Sequence, residues 1–143
     1  MKITTMTMND YPAAYQIWTQ AEGVGLRTLD DSEAGIQKFL ERNPNTNFVC
    51  KVEDNLVGTI LCGHDGRRAY IYHALVAEEY RSRGIGRNLV NKLIQALKEE
   101  GITKVGLVVY TNNNQGNLFW EKLGFDQRED LYYRNKVINQ NNK

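Results

Sequence analysis

The segment that most constrains the fold is an amphipathic run that begins at Ile85. Its apolar residues recur at helical spacing while polar side chains fill the opposite face, so the run predicts a long helix packed on a core. The apolar stripe consists of Ile85, Leu89, Val90, Leu93, Ile94 and Leu97. Gly101 is placed to end this helix, because glycine readily adopts the left-handed conformation found at helix C-termini.

Strand-like runs lie on both sides of this helix. Ala69–Val76 is rich in aromatic residues that suit a sheet surface, and residues 105–110 form a nearly continuous apolar run. A strand, a helix and a second strand in this order require a parallel pair joined by a right-handed crossover.

The other segments predict a mostly antiparallel sheet around that parallel pair. We expect an α+β fold, layered α/β/α, with helices on both faces of a mixed sheet of about six to seven strands and the parallel pair at its centre. Further elements are predicted as strands at 1–6, 47–52, 56–62 and 131–137, a hairpin turn at 54–55, helices capped by Asn9 or Asp10 and by Asp30, Asp31 or Ser32, and a helix over 112–123.

Composition and charge narrow the class of protein. The 143 residues are 41% hydrophobic and 24% charged, which predicts one domain over 1–143 with a frayed polar tail at 138–143. A net charge of +1 provides no concentrated basic field, so we expect neither nucleic acid nor a membrane as partner. No apolar run approaches the about 18 residues of a membrane span, and no signal peptide is predicted. We therefore expect a cytoplasmic protein without a bound metal, in which Cys50 and Cys62 are buried thiols.

A glycine- and arginine-rich turn immediately precedes the long helix. Gly84 and Gly86 leave the backbone bare, so a ligand can approach the amide groups closely. The helix start adds unpaired N–H groups and the positive end of the helix dipole, and Arg81, Arg83 and Arg87 add side-chain charge. Such a turn suits a diphosphate. The alternative is an ordinary helix start whose arginines face solvent.

Two familiar nucleotide-binding motifs fail on this turn. A Walker loop needs Gly-Lys followed by Ser or Thr, whereas Gly86 is followed by Arg87 and Asn88. A dinucleotide fingerprint needs a third small residue where the chain has Leu89, and an acidic residue after the next strand, where it has Tyr-Thr-Asn at 110–112.

The turn and a second segment together resemble a known family. Arg-x-x-Gly-x-Gly at 81–86 resembles the Arg/Gln-x-x-Gly-x-Gly/Ala signature of the GNAT superfamily of N-acetyltransferases. Asn-x-x-Gly at 113–116, followed by Phe-Trp-Glu-Lys-Leu-Gly-Phe at 119–125, is similar to the family's Asn-x-x-Ala…Tyr-Glu-Lys-Leu-Gly-Phe ending. The match spans residues 56–125 in the family's order and spacing, whereas residues 1–50 carry no motif.

The resemblance implies a bound acetyl-CoA as co-substrate. In the family, the strands that correspond to Ala69–Val76 and 105–110 part at their C-terminal ends, the pantetheine arm lies in the gap, and the diphosphate lies on the turn. The residues that the resemblance assigns to the cofactor are Ala74, Leu75 and Val76 on the strand, Arg81, Ser82, Arg83, Gly84, Ile85, Gly86 and Arg87 on the turn, and Asn113 and Trp120 beyond it.

The catalytic groups match the family less completely. Trp120 stands where the family often has the tyrosine that protonates the leaving thiolate, and Tyr70 or Val108 where some branches have a basic glutamate. The candidates for catalysis are Tyr70, Tyr72 and His73, with Tyr110, Tyr132 and Tyr133 in reserve. Because side chains alternate along a strand, we predict that Tyr70 and Tyr72 face away from His73 and that only one set faces the substrate. Packing of these side chains within the sheet is the alternative for all of them.

The function that follows from the resemblance is transfer of an acetyl group from acetyl-CoA to a primary amine by direct attack. The acceptor would be a small molecule, a protein or a peptide, and the protein a monomer or a homodimer. One alternative is a CoA-binding sensor or interaction domain without catalysis, which the missing tyrosine and glutamate favour. A second is a nucleotide-binding module on the same turn.

Overall fold

The computed structural model describes all 143 residues. Nine helices and strands follow one another along the chain, with short 3-10 turns at Met8–Asp10 and Glu78–Tyr80. They are β1 (Lys2–Thr5), α1 (Tyr11–Gln20), α2 (Glu33–Arg42), β2 (Phe48–Val52), β3 (Asn55–His64), β4 (Ala69–Val76), α3 (Ile85–Glu99), β5 (Val105–Gly106) and α4 (Asn114–Lys122). None of the helices is long and apolar enough to cross a membrane.

The strands form one sheet in the order β1-β2-β3-β4-β5. The first four strands are antiparallel to their neighbours, and β5 pairs with β4 in parallel, so the predicted mixed sheet with one parallel pair is confirmed. The sheet has five strands, fewer than predicted, and the parallel pair lies at its edge instead of its centre. Residues 131–137 form no strand, because polar residues in the middle of that run interrupt its apolar face and leave Tyr132 90% exposed.

Helices cover both faces of the sheet, which confirms the α/β/α layering. On one face, α1 and α2 pack through Trp18, Ile36 and Leu40 against the sheet. On the other face, the stripe of α3 packs against β2, β3 and β4, with Leu93 completely buried. The sheet therefore separates two cores, and the apolar stripe of α3 forms the larger one with its strands.

Most of the residues that the sequence predicts to begin or end these elements do so in the structure. Ser32 caps α2 through its hydroxyl, which accepts a bond from the Gly35 amide at 3.0 Å. Gly101 adopts a φ of +75° after α3, as its position predicts. The hairpin turn between β2 and β3 lies at Glu53 and Asp54, one residue before the predicted position, and both residues have positive φ.

A β-bulge in β4 overturns the predicted alternation of its side chains. Thr59 of β3 pairs with Leu75, but Leu61 pairs with Tyr72, so β4 carries one extra residue between these pairs. His73 takes up this residue at a φ of +45°, which costs a non-glycine residue about 1–2 kcal/mol. His73 therefore lies on the same face as Tyr70 and Tyr72, beside α1 and α2, and the prediction that it faces away from them is wrong.

Two buried side chains fix this bulge. The Thr59 hydroxyl, which is fully buried, donates to the His73 carbonyl oxygen at 2.7 Å. The indole N–H of Trp18 in turn donates to the Thr59 hydroxyl at 2.9 Å. The hydroxyl thus acts as donor and acceptor at once and satisfies the backbone group that the bulge removes from the regular ladder.

The C-terminal tail, which the sequence predicts to fray, lies against the loop before α2. The side-chain oxygen of Asn142 accepts bonds from the Leu29 and Asp30 amides, both at 3.0 Å. Its amide donates to the Asp30 carboxylate at 2.8 Å, and the Thr28 hydroxyl bonds to the Asn141 carbonyl oxygen. A run of asparagines can fasten a tail in this way because each side chain both donates and accepts.

Replacing Thr59 with valine is expected to lower the free energy of unfolding by about 2–4 kcal/mol, because two buried polar groups lose their partner. Urea unfolding of the purified protein measures this loss. Thr59→Ser keeps the hydroxyl and should recover most of it, and Thr19→Val, an exposed change on α1, should stay within about 0.5 kcal/mol of the parent protein. An unchanged urea midpoint for Thr59→Val would contradict a role in the bulge.

Candidate active site

The parallel strands pair only where they begin. Ala69 is opposite Val105 and Tyr70 is opposite Gly106, and beyond this point β4 continues to Val76 without a neighbour on that side. The Ala77 amide donates to the Val57 carbonyl oxygen on β3 at 2.7 Å. Since successive residues of a strand direct their backbone groups to opposite sides, the N–H and C=O of Val76 point into the gap that β5 leaves open.

The turn before α3 presents a run of free amide groups beside this gap. The first backbone bond of α3 runs from the Asn88 amide to the Gly84 carbonyl oxygen at 3.0 Å, and the amides of residues 82–87 bond to no group of the protein. Ser82 and Gly84 have φ values of +65° and +82°, which alternate with the residues between them and curve the amides into a concave arrangement. Such a concavity at a helix start binds anions.

The three arginines of the turn have different partners. Arg81 donates from Nε to the Val76 carbonyl oxygen at 3.0 Å, which ties the turn to the open end of β4. Arg83 bonds to the Glu79 carbonyl oxygen at 3.3 Å and lies 5.0 Å over the Tyr80 ring. Arg87 is exposed and engages none of these partners, so its guanidinium is the one available to an anion on the turn.

Helix α4 packs tightly against the start of α3. A Cβ built at Gly86 would lie 3.0 Å from the Phe119 ring, so any larger residue here would force the ring to shift. Asn113 caps α4, with its side-chain oxygen accepting from the Gly116 amide at 2.9 Å. The Asn-x-x-Gly part of the sequence motif is therefore a capping arrangement, and it leaves the Asn113 side-chain NH2 without a partner in the protein.

Trp120 lies in the core that α3 forms with the sheet and is only 9% exposed. Its ring packs edge-on between Phe119 and Phe125, with ring centroids 5.0 Å and 4.9 Å away. The indole Nε1 bonds to no protein group, yet the protein contains no fully buried side-chain nitrogen or oxygen without a partner. The N–H of Trp120 must therefore reach accessible space at the edge of this core.

The three catalytic candidates lie together on the α1/α2 face of β4. The Tyr70 and Tyr72 rings are 4.8 Å apart, and Phe39 packs edge-on against Tyr72. Burial, followed by the nearby Tyr133, raises the pKa of both Tyr70 and Tyr72. The His73 ring packs 4.7 Å from the Trp18 ring, and its Nε2 lies 2.5 Å from Oδ1 of Asp31.

Asp31 and Thr59 are the site residues that sequence reasoning missed. Asp31 stands beside Ser32 among three possible caps for α2, and because Ser32 takes that role, the Asp31 carboxylate is free to reach His73. The role of Thr59 depends on the bulge in β4, and no local sequence pattern predicts that bulge. Of the reserve candidates, Tyr110 packs over Gly23 and Gly25 in the α1–α2 loop.

The cysteines take no part in the site. Cys50 and Cys62 are fully buried and unpaired, as predicted. Burial raises the pKa of the Cys62 thiol to about 12, so it stays protonated at neutral pH and is a poor nucleophile.

The mixed sheet, the parted parallel strands and the free amides beside them define an α+β fold with a candidate anion site at a helix start, next to an open strand edge. The family can be named from the sequence match. The chain belongs to the acetyltransferase (GNAT) family, whose model matches residues 10–125.

Relatives and solved structures agree with this assignment. An acetyltransferase of Sodalis glossinidius is 29% identical over 138 residues, which cover 96% of each chain. A ribosomal-protein alanine N-acetyltransferase of Escherichia coli is 25% identical, with a TM-score of 0.75 over 89% of this chain and 78% of that one. A predicted acetyltransferase of Clostridium acetobutylicum, solved with acetyl-CoA, is 18% identical, with a TM-score of 0.72 over 94% and 95% of the two chains.

The contact between Gly86 and Phe119 predicts a specific coupling. Gly86→Ala should lower the free energy of unfolding by about 1–3 kcal/mol, because the added methyl group overlaps the aromatic ring. In a Phe119→Leu background the ring carbons that the methyl group meets are gone, so the same change should cost less. Urea unfolding of the four proteins measures both costs, and equal costs in the two backgrounds would refute the contact.

Proposed function

We propose that the protein transfers the acetyl group of acetyl-CoA to a primary amine, which attacks the thioester directly. The observation that carries this proposal is the run of free amides at residues 82–87 beside the unpaired end of β4. Membership of an acetyltransferase family supports the reaction type. The E. coli neighbour named above acts on a protein alanine, which supports an amine as the acceptor.

The turn fits a diphosphate in three respects. Its concave amides supply donors without acceptors, the N-terminal end of α3 supplies partial positive charge, and Arg87 supplies a free guanidinium. Gly84 keeps the surface open, since a Cβ there would meet no atom within 4 Å. These amides have no hydrogen-bond partner in the protein. A bound diphosphate would therefore displace only water from them and break no bond within the protein.

The open edge of β4 fits the rest of the cofactor. Unpaired strand backbone can bond to the amides of a pantetheine arm as a neighbouring strand would. The outward N–H of Val76 lies in the position to polarise a carbonyl group in the gap, as an oxyanion-stabilising donor does. Val76 therefore acts through its main chain, whereas Leu75, which is paired with Thr59, directs its backbone groups towards β3, and acetyl-CoA supplies the activated thioester.

His73 is the strongest candidate for the base that makes the amine neutral. Unperturbed imidazole titrates near neutral pH, whereas a tyrosine accepts a proton only as phenolate. The raised pKa of Tyr70 and Tyr72 keeps both hydroxyls protonated in the neutral range. These tyrosines are thus donors in the acceptor cleft, and the imidazole takes the proton that the amine releases.

The indole N–H of Trp120 is the candidate to stabilise the leaving thiolate. It can donate a hydrogen bond to sulfur but cannot supply a proton at neutral pH. As the new C–N bond forms and the C–S bond breaks, the amine proton passes to His73, and the thiolate leaves stabilised by this hydrogen bond until it takes a proton from solvent or His73. No covalent intermediate with the enzyme is needed.

Steady-state kinetics with acetyl-CoA and a panel of amines tests the proposal. Thiol release should depend on the amine, and varying both substrates should give the intersecting pattern of a ternary complex. Acetyl-CoA that binds without any turnover would favour a CoA sensor instead. Equal binding of ATP, NAD and acetyl-CoA would favour a general nucleotide site.

Arg87→Ala is expected to weaken acetyl-CoA binding roughly 10-fold, because a charge-assisted bond to the diphosphate is lost. Isothermal titration calorimetry measures the dissociation constant. Lys92→Ala removes the same charge from an exposed position further along α3 and serves as the matched control. An equal loss in both variants would indicate long-range charge attraction and no direct contact at Arg87.

Substitutions in β4 should separate the base from its neighbours. His73→Gln is expected to lower kcat by about 10²–10⁴-fold, the range that a general base supplies. Tyr70→Phe and Tyr72→Phe should each lower it by a few-fold at most, because their hydroxyls do not titrate in the working range. Equal kcat values for His73→Gln and the parent enzyme at neutral pH would exclude His73 as the base.

A further inference from the structure

We propose that Asp31 is the positioning residue of His73, which fixes the imidazole with its proton on Nε2 and its lone pair on Nδ1. This inference deepens the proposed function and rests on it, since it concerns the group assigned as the base. Asp31 lies in the loop before α2, far from the motif-bearing half of the chain.

The two side chains form a nearly buried pair. His73 and Asp31 expose 9% and 7% of their side chains, and Nε2 and Oδ1 are 2.5 Å apart. The Trp18 ring covers the imidazole at 4.7 Å and a tilt of 57°. A ring held by a neighbouring indole and by a short bond has little freedom to turn.

Asp31 is itself fixed by its surroundings. Its second carboxylate oxygen accepts from the Arg27 amide at 2.6 Å, and its own amide donates to the Arg27 carbonyl oxygen at 3.1 Å. The Tyr11 hydroxyl of α1 donates to the Asp31 carbonyl oxygen at 2.7 Å. Burial and the charges of Tyr15, Asp31 and Glu33 raise the pKa of Tyr11, so this hydroxyl keeps its proton and remains a donor.

The bonding pattern determines the tautomer of His73. A carboxylate only accepts hydrogen bonds, so the imidazole nitrogen that faces it carries the proton. In the neutral ring, Nδ1 then holds the lone pair. Nδ1 has no partner in the protein, and because no fully buried side-chain nitrogen lacks a partner, it must reach accessible space. The pair thus presents a proton acceptor to the surface and keeps the donor side buried.

The charged and titratable groups around His73 come from few elements. Asp31 faces it from the loop, Tyr11 approaches through Asp31 from α1, and Tyr72 precedes it on β4.

Asp31→Asn is the informative substitution, because the two partners of the side chain impose its orientation. The Arg27 amide requires an acceptor, so the side-chain oxygen faces Arg27 and the NH2 group faces Nε2. His73 must then accept at Nε2 and carry its proton on Nδ1, which removes the base. We expect kcat/KM for the amine to fall on the order of 10²-fold, with unchanged acetyl-CoA affinity.

Two comparisons separate positioning from a general structural effect. Asp30→Asn makes the same change one residue away, where the carboxylate bonds to Asn142 and not to His73, and should retain most activity. In a His73→Gln background, Asp31→Asn should cause little further loss, because it acts only through the imidazole. Losses that multiply across the double variant would overturn the proposal.

A spectroscopic test makes the outcome independent of turnover. Long-range ¹H–¹⁵N correlation of the unsubstituted protein should show His73 protonated at Nε2 when neutral, and Asp31→Asn should reverse this. Protonation at Nδ1 in the unsubstituted protein would refute the inference even if the variant failed to fold. Absence of acetyl-CoA binding or turnover in the unsubstituted protein would instead refute the proposed function, while the tautomer would still decide the role of Asp31.

Discussion

The bond from the Thr59 hydroxyl to the His73 carbonyl oxygen is the contact on which the site depends. It holds the extra residue of β4 in place at an unfavourable φ. The bulge brings His73 onto the face of Tyr70 and Tyr72 and sets the phase of the residues that follow, so that the Val76 amide points into the open gap. One buried hydroxyl thus determines both where the imidazole lies and which backbone groups a ligand meets.

The part of the candidate site that is proposed to bind the cofactor is built almost entirely from main chain. Amide groups of the turn and of the end of β4 have no partners in the protein, and Arg81 links these two regions through the Val76 carbonyl oxygen. Gly86 lets Phe119 of α4 approach the start of α3, and Trp120 beside Phe119 packs into the core. The free amides of the turn therefore lie next to closely packed aromatic side chains.

The sequence predicted the parts of the fold that local patterns encode. The stripe of α3 and the glycines before it predict a helix start that binds anions, and both signals lie within a few residues of each other. The bulge could not be predicted because it depends on Thr59, which lies on a different strand from His73. In the sequence, Thr59 looks like any other strand threonine. The prediction of a strand over 131–137 was wrong because polar residues in the middle of that run interrupt its apolar face. Asp31 escaped because its role required the packing of α1 and α2 on the sheet.

The proposed cofactor contacts come from the main chain, whereas the proposed proton-transfer groups are side chains. This difference explains how the catalytic residues can depart from the family pattern while the cofactor motif does not. Backbone donors place a diphosphate and a carbonyl group whatever side chains surround them, so Trp120 can replace a tyrosine without disturbing the turn. The proposed proton-transfer group lies on the α1/α2 face of β4, where the bulge places His73 and the loop before α2 supplies its partner Asp31.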